Sequence, residues 1–174
     1  MIFLDVHPAF AQYLPETTHS CDYIQSILST NTSIILPDWT CNEMNYTTFD
    51  FSRFTDLEYL EIGDNSFRSV ETFVIDGMHK LTMVIIGHYS FTYNTYDEIE
   101  NDNKNFHIKN CESLEMIDIG AFSFTDYSGD FELANLPSLV SIKIGNYTPH
   151  DYASHNFYYS SLIIRGFLFW LLYY

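Results

Sequence analysis

Carboxylates and histidines are the residues of this chain with the most evident chemical use. Asp97, Glu98, Glu100 and Asp102 crowd one short stretch, a composition that suits a divalent cation, but they lack the D-x-(Asp/Asn)-x-(Asp/Asn)-Gly loop that wraps calcium. His150, Asp151 and His155 could meet a transition metal, yet their spacing matches no ligand set and a solvated loop is the simpler reading. Glu61 and Asp118 could serve as acid and base on a glycosidic bond if a fold made them converge. Phosphate-binding glycine loops, His-Glu-x-x-His, the Gly-x-Ser-x-Gly elbow and the kinase catalytic loop are all missing from the sequence. The residues therefore assign no catalytic group, no metal and no cofactor.

Cys21, Cys41 and Cys111 lie far apart and form no Cys-x-x-Cys pair, which suggests neither a zinc site nor a disulfide framework and favours a reducing, cytoplasmic setting. The opening Met1-Ile-Phe-Leu-Asp5 has no basic n-region and its apolar run breaks at Asp5, so it makes a poor secretory signal. Three sequons, Asn31-Thr-Ser33, Asn45-Tyr-Thr47 and Asn146-Tyr-Thr148, would matter only in an exported chain.

The 174 residues carry 23 Asp plus Glu against 7 Lys plus Arg, a formal charge of −16 that opposes binding to nucleic acid or anionic lipid faces. With 47% apolar and 18% aromatic residues the chain has far too much to bury for a solvated coil.

What must position any functional residue is a repeat. Leu57-Glu-Tyr-Leu-Glu-Ile-Gly63 recurs as Leu81 to Gly87, Leu114 to Gly120 and Leu139 to Gly145, with starts 24, 33 and 25 residues apart. Its fourth and sixth positions are apolar and two apart, so a strand puts them on one face. A second phrase, Phe49-Asp-Phe51, returns as Phe73 to Ile75, Phe106 to Ile108, Phe131 to Leu133 and Leu162 to Ile164, giving each repeat two short strands. A third marker follows Ile-Gly: Asp64-Asn-Ser-Phe67, His88-Tyr-Ser-Phe91 and Ala121-Phe-Ser-Phe124, whose Phe folds back to pad the interior; Asn146-Tyr-Thr-Pro149 departs from it. Glycines at 63, 87, 120 and 145 end the first strand, and Gly77 and Gly166 end the second, marking corners that need unusual backbone conformations. Insertions from Thr92 to Asn105 and from Tyr147 to about Ser160 map to surface loops.

Residues 1–32 read as an irregular segment and a short cap helix starting at Ser20 or Asp22, with Tyr23, Ile24, Ile27 and Leu28 on its buried face. Ser33 to Pro37 is a strand, Asp38 to Thr48 a loop, and 33–166 the repeat array. Residues 167–174, Phe-Leu-Phe-Trp-Leu-Leu-Tyr-Tyr, form an apolar off-pattern tail, too short to span a bilayer, where about 20 residues are needed.

Leu57-x-x-Leu60-x-Ile62-x-x-Asn65-x-Phe67 matches the phrase L-x-x-L-x-L-x-x-N-x-L, and the chain resembles the leucine-rich-repeat family from about residue 49 to 166, more faintly from Ile34. Ile62-Gly-Asp-Asn-Ser-Phe67 and Asn110-Cys-Glu-Ser-Leu114-x-x-Ile117-x-Ile119 look like the variant repeats of BspA-like surface proteins and of arrays in unicellular eukaryotes. Tyr89, Phe122 and Tyr147 stand where the family has asparagine. The resemblance implies a solenoid with a parallel sheet whose alternate residues meet a protein partner: Tyr59, Glu61, Met83, Ile85, Met116, Asp118, Ser141 and Lys143. A non-catalytic interaction module follows; BspA-like surface adhesion and a parallel β-helix acting on carbohydrate are the alternatives. The tail offers no capping repeat, so the array reads as cut short, a fragment of a longer one that self-associates through its uncapped C-terminal end.

Overall fold

The computed structural model describes residues 20–93, 104–145, 155–157 and 159–166. A short helix α1 (Cys21–Ser26) precedes ten strands: β1 (Ser33–Leu36), β2 (Thr48–Asp50), β3 (Tyr59–Ile62), β4 (Thr72–Asp76), β5 (Met83–Ile86), β6 (Asn105–Lys109), β7 (Met116–Ile119), β8 (Asp130–Ala134), β9 (Ser141–Ile144) and β10 (Ser161–Arg165). Odd strands form one parallel five-stranded sheet in the order β1-β3-β5-β7-β9, and even strands form a second in the order β2-β4-β6-β8-β10. Each successive pair of strands, called a rung below, thus adds one strand to each sheet.

Alternation decides the register. In β3, β5 and β7 the second and fourth residues are buried and the first and third half-exposed, so a slip of one residue would turn every inward Leu, Val or Ile to water. Leu60, Val84 and Ile117 align across the first sheet, as do Ile62, Ile86 and Ile119. Phe73, Phe106 and Phe131 align across the second.

Between the two strands of each rung the chain turns by a fixed device. Left-handed backbone occurs at Asn65 and Phe67, Tyr89 and Phe91, and Phe122 and Phe124, with a serine between each pair. Such conformations cost an ordinary residue about 1 to 2 kcal/mol, which the buried phenyl rings offset. Phe67, Phe91, Phe124 and Phe157 form a stack with centroid spacings of 5.0, 4.6 and 4.7 Å. The serines form a second column: the Ser66 N–H donates to Ser90 Oγ at 3.2 Å, and the Ser90 N–H to Ser123 Oγ at 3.0 Å. Ser90 Oγ donates onward to the Gly63 carbonyl at 2.8 Å and Ser123 Oγ to that of Gly87 at 2.6 Å. Serine therefore satisfies the buried backbone here, one residue past the position where the leucine-rich-repeat phrase places asparagine.

The glycines that end β3, β5 and β7 do not serve the backbone freedom expected of them. None of Gly63, Gly87 and Gly120 has positive φ; instead a Cβ on Gly87 would meet the backbone of the preceding rung at 2.6 Å, and one on Gly120 would do the same. They are small because neighbouring rungs touch there. At the second corner the left-handed residues are Gly77, Asn110, Asn135 and Gly166, and the asparagines link rungs, Asn135 Nδ2 donating to Asn110 Oδ1 at 2.8 Å and Asn110 Nδ2 to Asp76 Oδ1 at 2.7 Å.

Helix α1 is shorter than the sequence suggests, and of the four residues expected on its buried face Ile24 is buried, Tyr23 and Ile27 are half-buried and Leu28 is exposed. Ser20 Oγ accepts the Tyr23 N–H, and the helix stops at Ser26 with Ile27 already extended. Cys21 and Ile24 are buried, whereas Leu28, beyond the last turn, is 69% exposed. Arg53 holds the C-terminal end, its guanidinium donating to the Ile24 and Ile27 carbonyls and lying 4.0 Å from the Phe54 ring centroid.

Cys21 and Cys41 form a disulfide, contrary to the sequence reading. Trp39-Thr40-Cys41 adopts the same left-handed pair as Asn65-Ser66-Phe67, and the Thr40 N–H donates to Ser66 Oγ at 3.0 Å. Cys41 thus takes the phenylalanine position of the first rung, and its sulfur reaches the helix instead of a ring. At the other end the last rung is open: Ile142 and Ile144 are 41% and 39% exposed and Leu162 and Ile164 are 59% and 45%, although Ile117 and Ile119 one rung earlier are fully buried. Among the described residues no strand pairs with the outer edges of β9 and β10.

Candidate functional site

The eight residues expected on the partner-facing side all lie on the outward face of the first sheet, in two straight rows. Tyr59, Met83, Met116 and Ser141 are successive register partners, and Glu61, Ile85, Asp118 and Lys143 form the neighbouring row. Strand spacing sets each step at about 4.8 Å. Ser33 and Ile35 begin the same rows, paired with Tyr59 and Glu61. Sequence reading began its rows one strand late because the first repeat lacks the Leu-x-x opening; the faint match at Ile34 was the available signal. Ile35 is 49% exposed, and Tyr59, Met83, Ile85 and Met116 are half-buried. Together they make an apolar patch around Glu61 on the sheet face.

The charged groups on this face are already engaged with their neighbours. The Tyr59 hydroxyl donates to Glu61 Oε2. Burial first, then this hydrogen bond and the charge of Glu61, push the Tyr59 hydroxyl far above its ordinary range, so it stays a donor. Lys143 Nζ lies 3.6 Å from Asp118 Oδ2, the neighbouring pair that the repeat alignment requires. Glu61 and Asp118 are separated by the strand carrying Ile85, so the sheet does not bring these two carboxylates together around a common point.

Other chemically suggestive groups are held by structure. The Cys21 and Cys41 sulfurs lie with Glu43 in a cluster of metal-ligand type, but the disulfide leaves neither sulfur as the thiolate a metal needs. Glu43 accepts the Cys21 N–H at 3.1 Å. Lys104 Nζ and Asp126 Oδ2 form an almost completely buried pair at 2.7 Å, and the Tyr127 hydroxyl, raised well above its usual pKa by burial, donates to the Val70 carbonyl at 2.6 Å. A surface cavity of about 420 Å³ is lined by Asn42, Met44, Arg68, Ser69 and Tyr93; the Arg68 guanidinium there is turned to the Thr92 and Tyr93 carbonyls.

Of the candidate metal groups, Asp97, Glu98, Glu100, Asp102, His150 and Asp151 lie outside the described residues, as does the tail 167–174. His155 is described, its ring 6.1 Å from that of Phe122. Among the described residues no helix is long and apolar enough to cross a membrane.

Set against protein-family models, curated proteins and solved structures, the chain finds a match in none of the three, so its own geometry carries the functional reading.

Proposed function

We propose that this chain is a non-catalytic protein-interaction module, a solenoid of leucine-rich-repeat kind that binds a protein partner on the outward face of its first sheet. The observation that carries the reading is the patch of Ile35, Tyr59, Met83, Ile85 and Met116, in which Tyr59, Met83 and Met116 are successive register partners and Ile35 and Ile85 flank Glu61 in the neighbouring row, all of them at least partly accessible. Aromatic and methionine side chains are enriched in the cores of protein interfaces, and a sheet face presents them without ordering a loop. Asp118 and Lys143 form the polar margin, and Glu61 lies within the patch between Ile35 and Ile85. The last rung offers a second, self-associating contact, since exposed Ile142, Ile144, Leu162 and Ile164 sit beside two strand edges that no other strand pairs with among the described residues. With a formal charge of −16, nucleic acid is not among the proposed partners.

A surface-adhesion role of BspA-like type is the alternative, favoured by the Cys21–Cys41 disulfide, since such bonds persist in oxidising surroundings. Carbohydrate hydrolysis is the weaker alternative, because Glu61 is occupied by Tyr59 and Asp118 faces Lys143. The test is capture of partners by the full chain and by a triple variant, Tyr59→Ala, Met83→Ala and Met116→Ala. Truncating interface anchors commonly costs about 2 kcal/mol or more each, so capture should be lost while the circular dichroism spectrum stays unchanged. Equal capture by a folded triple variant overturns the assignment of this face.

A further inference from the structure

We propose that Asn31 and Asn45 carry N-linked glycans, and that these glycans screen the strand edges that β1 and β2 present, among the described residues, at the N-terminal end of both sheets. The sequons are not scattered over the fold. Asn31-Thr-Ser33 runs directly into β1, and Asn45-Tyr-Thr47 runs directly into β2. Among the described residues those two strands are the edges of the two sheets on that side. The third sequon, Asn146-Tyr-Thr148, begins two residues after β9, the opposite edge of the first sheet, and lies outside the described residues. No sequon adjoins any of the internal strands β3 to β8.

Access and compartment agree with placement. Asn31 and Asn45 are both exposed, the first after the turn that follows α1 and the second in the turn before β2. A sequon is an acceptor on surface loops of exported proteins, and the disulfide, made only four residues before Asn45, belongs to the same oxidising compartments. In the modification Asn Nδ2 bonds to the anomeric carbon of a polyprenyl-diphosphate-linked oligosaccharide. The anomeric carbon–oxygen bond breaks, the lipid diphosphate departs, the amide gives up one proton, and nothing is oxidised or reduced.

An edge strand presents unpaired N–H and C=O groups that template pairing with another chain. β1 adds to that hazard because its Ile35 is 49% exposed. A bulky hydrated glycan rooted two residues ahead of β1 and another three residues ahead of β2 obstruct lateral approach to those edges while leaving the faces free.

The test uses the full chain, secreted from cultured eukaryotic cells behind an added cleavable signal and kept oxidised. Peptide-N-glycosidase, applied to the folded protein, converts each occupied Asn to Asp, which peptide mass spectrometry reads site by site. Expected are occupancy of Asn31 and Asn45, loss of one mass step in each of Asn31→Gln and Asn45→Gln, and faster sedimentation once the glycans are removed. Unmodified Asn31 and Asn45 in the secreted oxidised chain overturn the modification. Occupied sites with unchanged sedimentation after removal overturn the screening role. Because the enzyme acts on protein already folded, that second reading holds even for a site whose Gln variant misfolds.

Discussion

Replacing Phe124 by alanine should be among the most damaging single changes in this chain, and replacing it by glycine should hurt less. Phe124 is fully buried, with rings of Phe91, Phe157, Phe106 and Tyr127 at centroid distances of 4.6, 4.7, 4.9 and 4.9 Å. Removing a buried phenyl ring costs about 3 to 5 kcal/mol, and ring pairs add about 0.5 to 1.5 kcal/mol beyond their buried area. A loss of about 5 kcal/mol is therefore expected for Phe124→Ala, a third or more of the whole stability of an ordinary domain at about 5 to 15 kcal/mol. The backbone supplies the second half of the prediction. Phe124 has φ 58°, where a side chain costs about 1 to 2 kcal/mol that glycine avoids. Phe124→Gly removes the same ring and sheds that strain, so it should be about 1 kcal/mol more stable than Phe124→Ala, reversing the usual order in regular structure. Phe122 is the control: it has φ 60° but points outward, stacked on Tyr89 at 5.0 Å, so its alanine variant should lose only about 0.5 to 1.5 kcal/mol. Denaturant unfolding at constant slope measures all three. Equal losses for Phe124→Ala and Phe122→Ala, or a glycine variant weaker than the alanine one at 124, would refute the account of the corner.

Two further outcomes follow from the cysteines. Cys21→Ser with Cys41→Ser should lower stability by about 2 to 5 kcal/mol, the usual loss for a native disulfide, with thermal melts of the oxidised and doubly substituted chains as the comparison; coincident melts would show that the bond does not hold α1 on the first rung. The buried Cys111 thiol is pushed up from 9.0 to about 11, chiefly by burial. Below pH 9 it is neutral in both states and its contribution is complete. Between about pH 9 and 11 the unfolded chain ionises and the folded chain does not, so stability falls by up to about 2.7 kcal/mol, and the fall should shrink in Cys111→Ala when the two proteins are titrated side by side.

Much of the fold was legible because its signals are local and repeated. Period-two alternation at Leu60 and Ile62, or at Phe73 and Ile75, survives from copy to copy, and it placed the strands of both sheets and the outward rows of the candidate face. The phenylalanine column was legible for Phe67, Phe91 and Phe124 because Ser-Phe follows Ile-Gly at a constant distance. Phe157 escaped since an insertion separates it from its strand, yet Asn156-Phe157 resumes the marker: the Phe122 N–H donates to Asn156 Oδ1, and Asn156 Nδ2 donates to the Gly120 carbonyl. The disulfide escaped for a related reason. Asp38-Trp-Thr-Cys41 is the marker with cysteine for phenylalanine, and only alignment on Asp64-Asn-Ser-Phe67 reveals that the thiol points inward, toward whatever covers the first rung. Which cysteine covers it depends on where α1 ends, and a six-residue helix with one capping serine gives periodicity too little length to fix its buried face. Gly77, Gly145 and Gly166 have the positive φ expected of corner glycines, whereas Gly63, Gly87 and Gly120 carried the right positions and the wrong cause, because contact between rungs is a distance in space that one rung's sequence does not display.

The unequal rung lengths have a polymer-physics consequence. Tyr59 pairs with Met83 after 24 residues, whereas Met83 pairs with Met116 after 33. Closing a loop costs about (3/2)RT ln n, so lengthening one rung from 24 to 33 residues adds only about 0.3 kcal/mol. That is less than a single buried methylene contributes, about 0.8 kcal/mol. Chain length at this corner is thermodynamically almost free, so long as the strands on either side still find their register. Residues beyond Thr92 can accordingly be added, removed or exchanged with little penalty to the sheets, and variation between chains of this architecture should collect there and spare the strands.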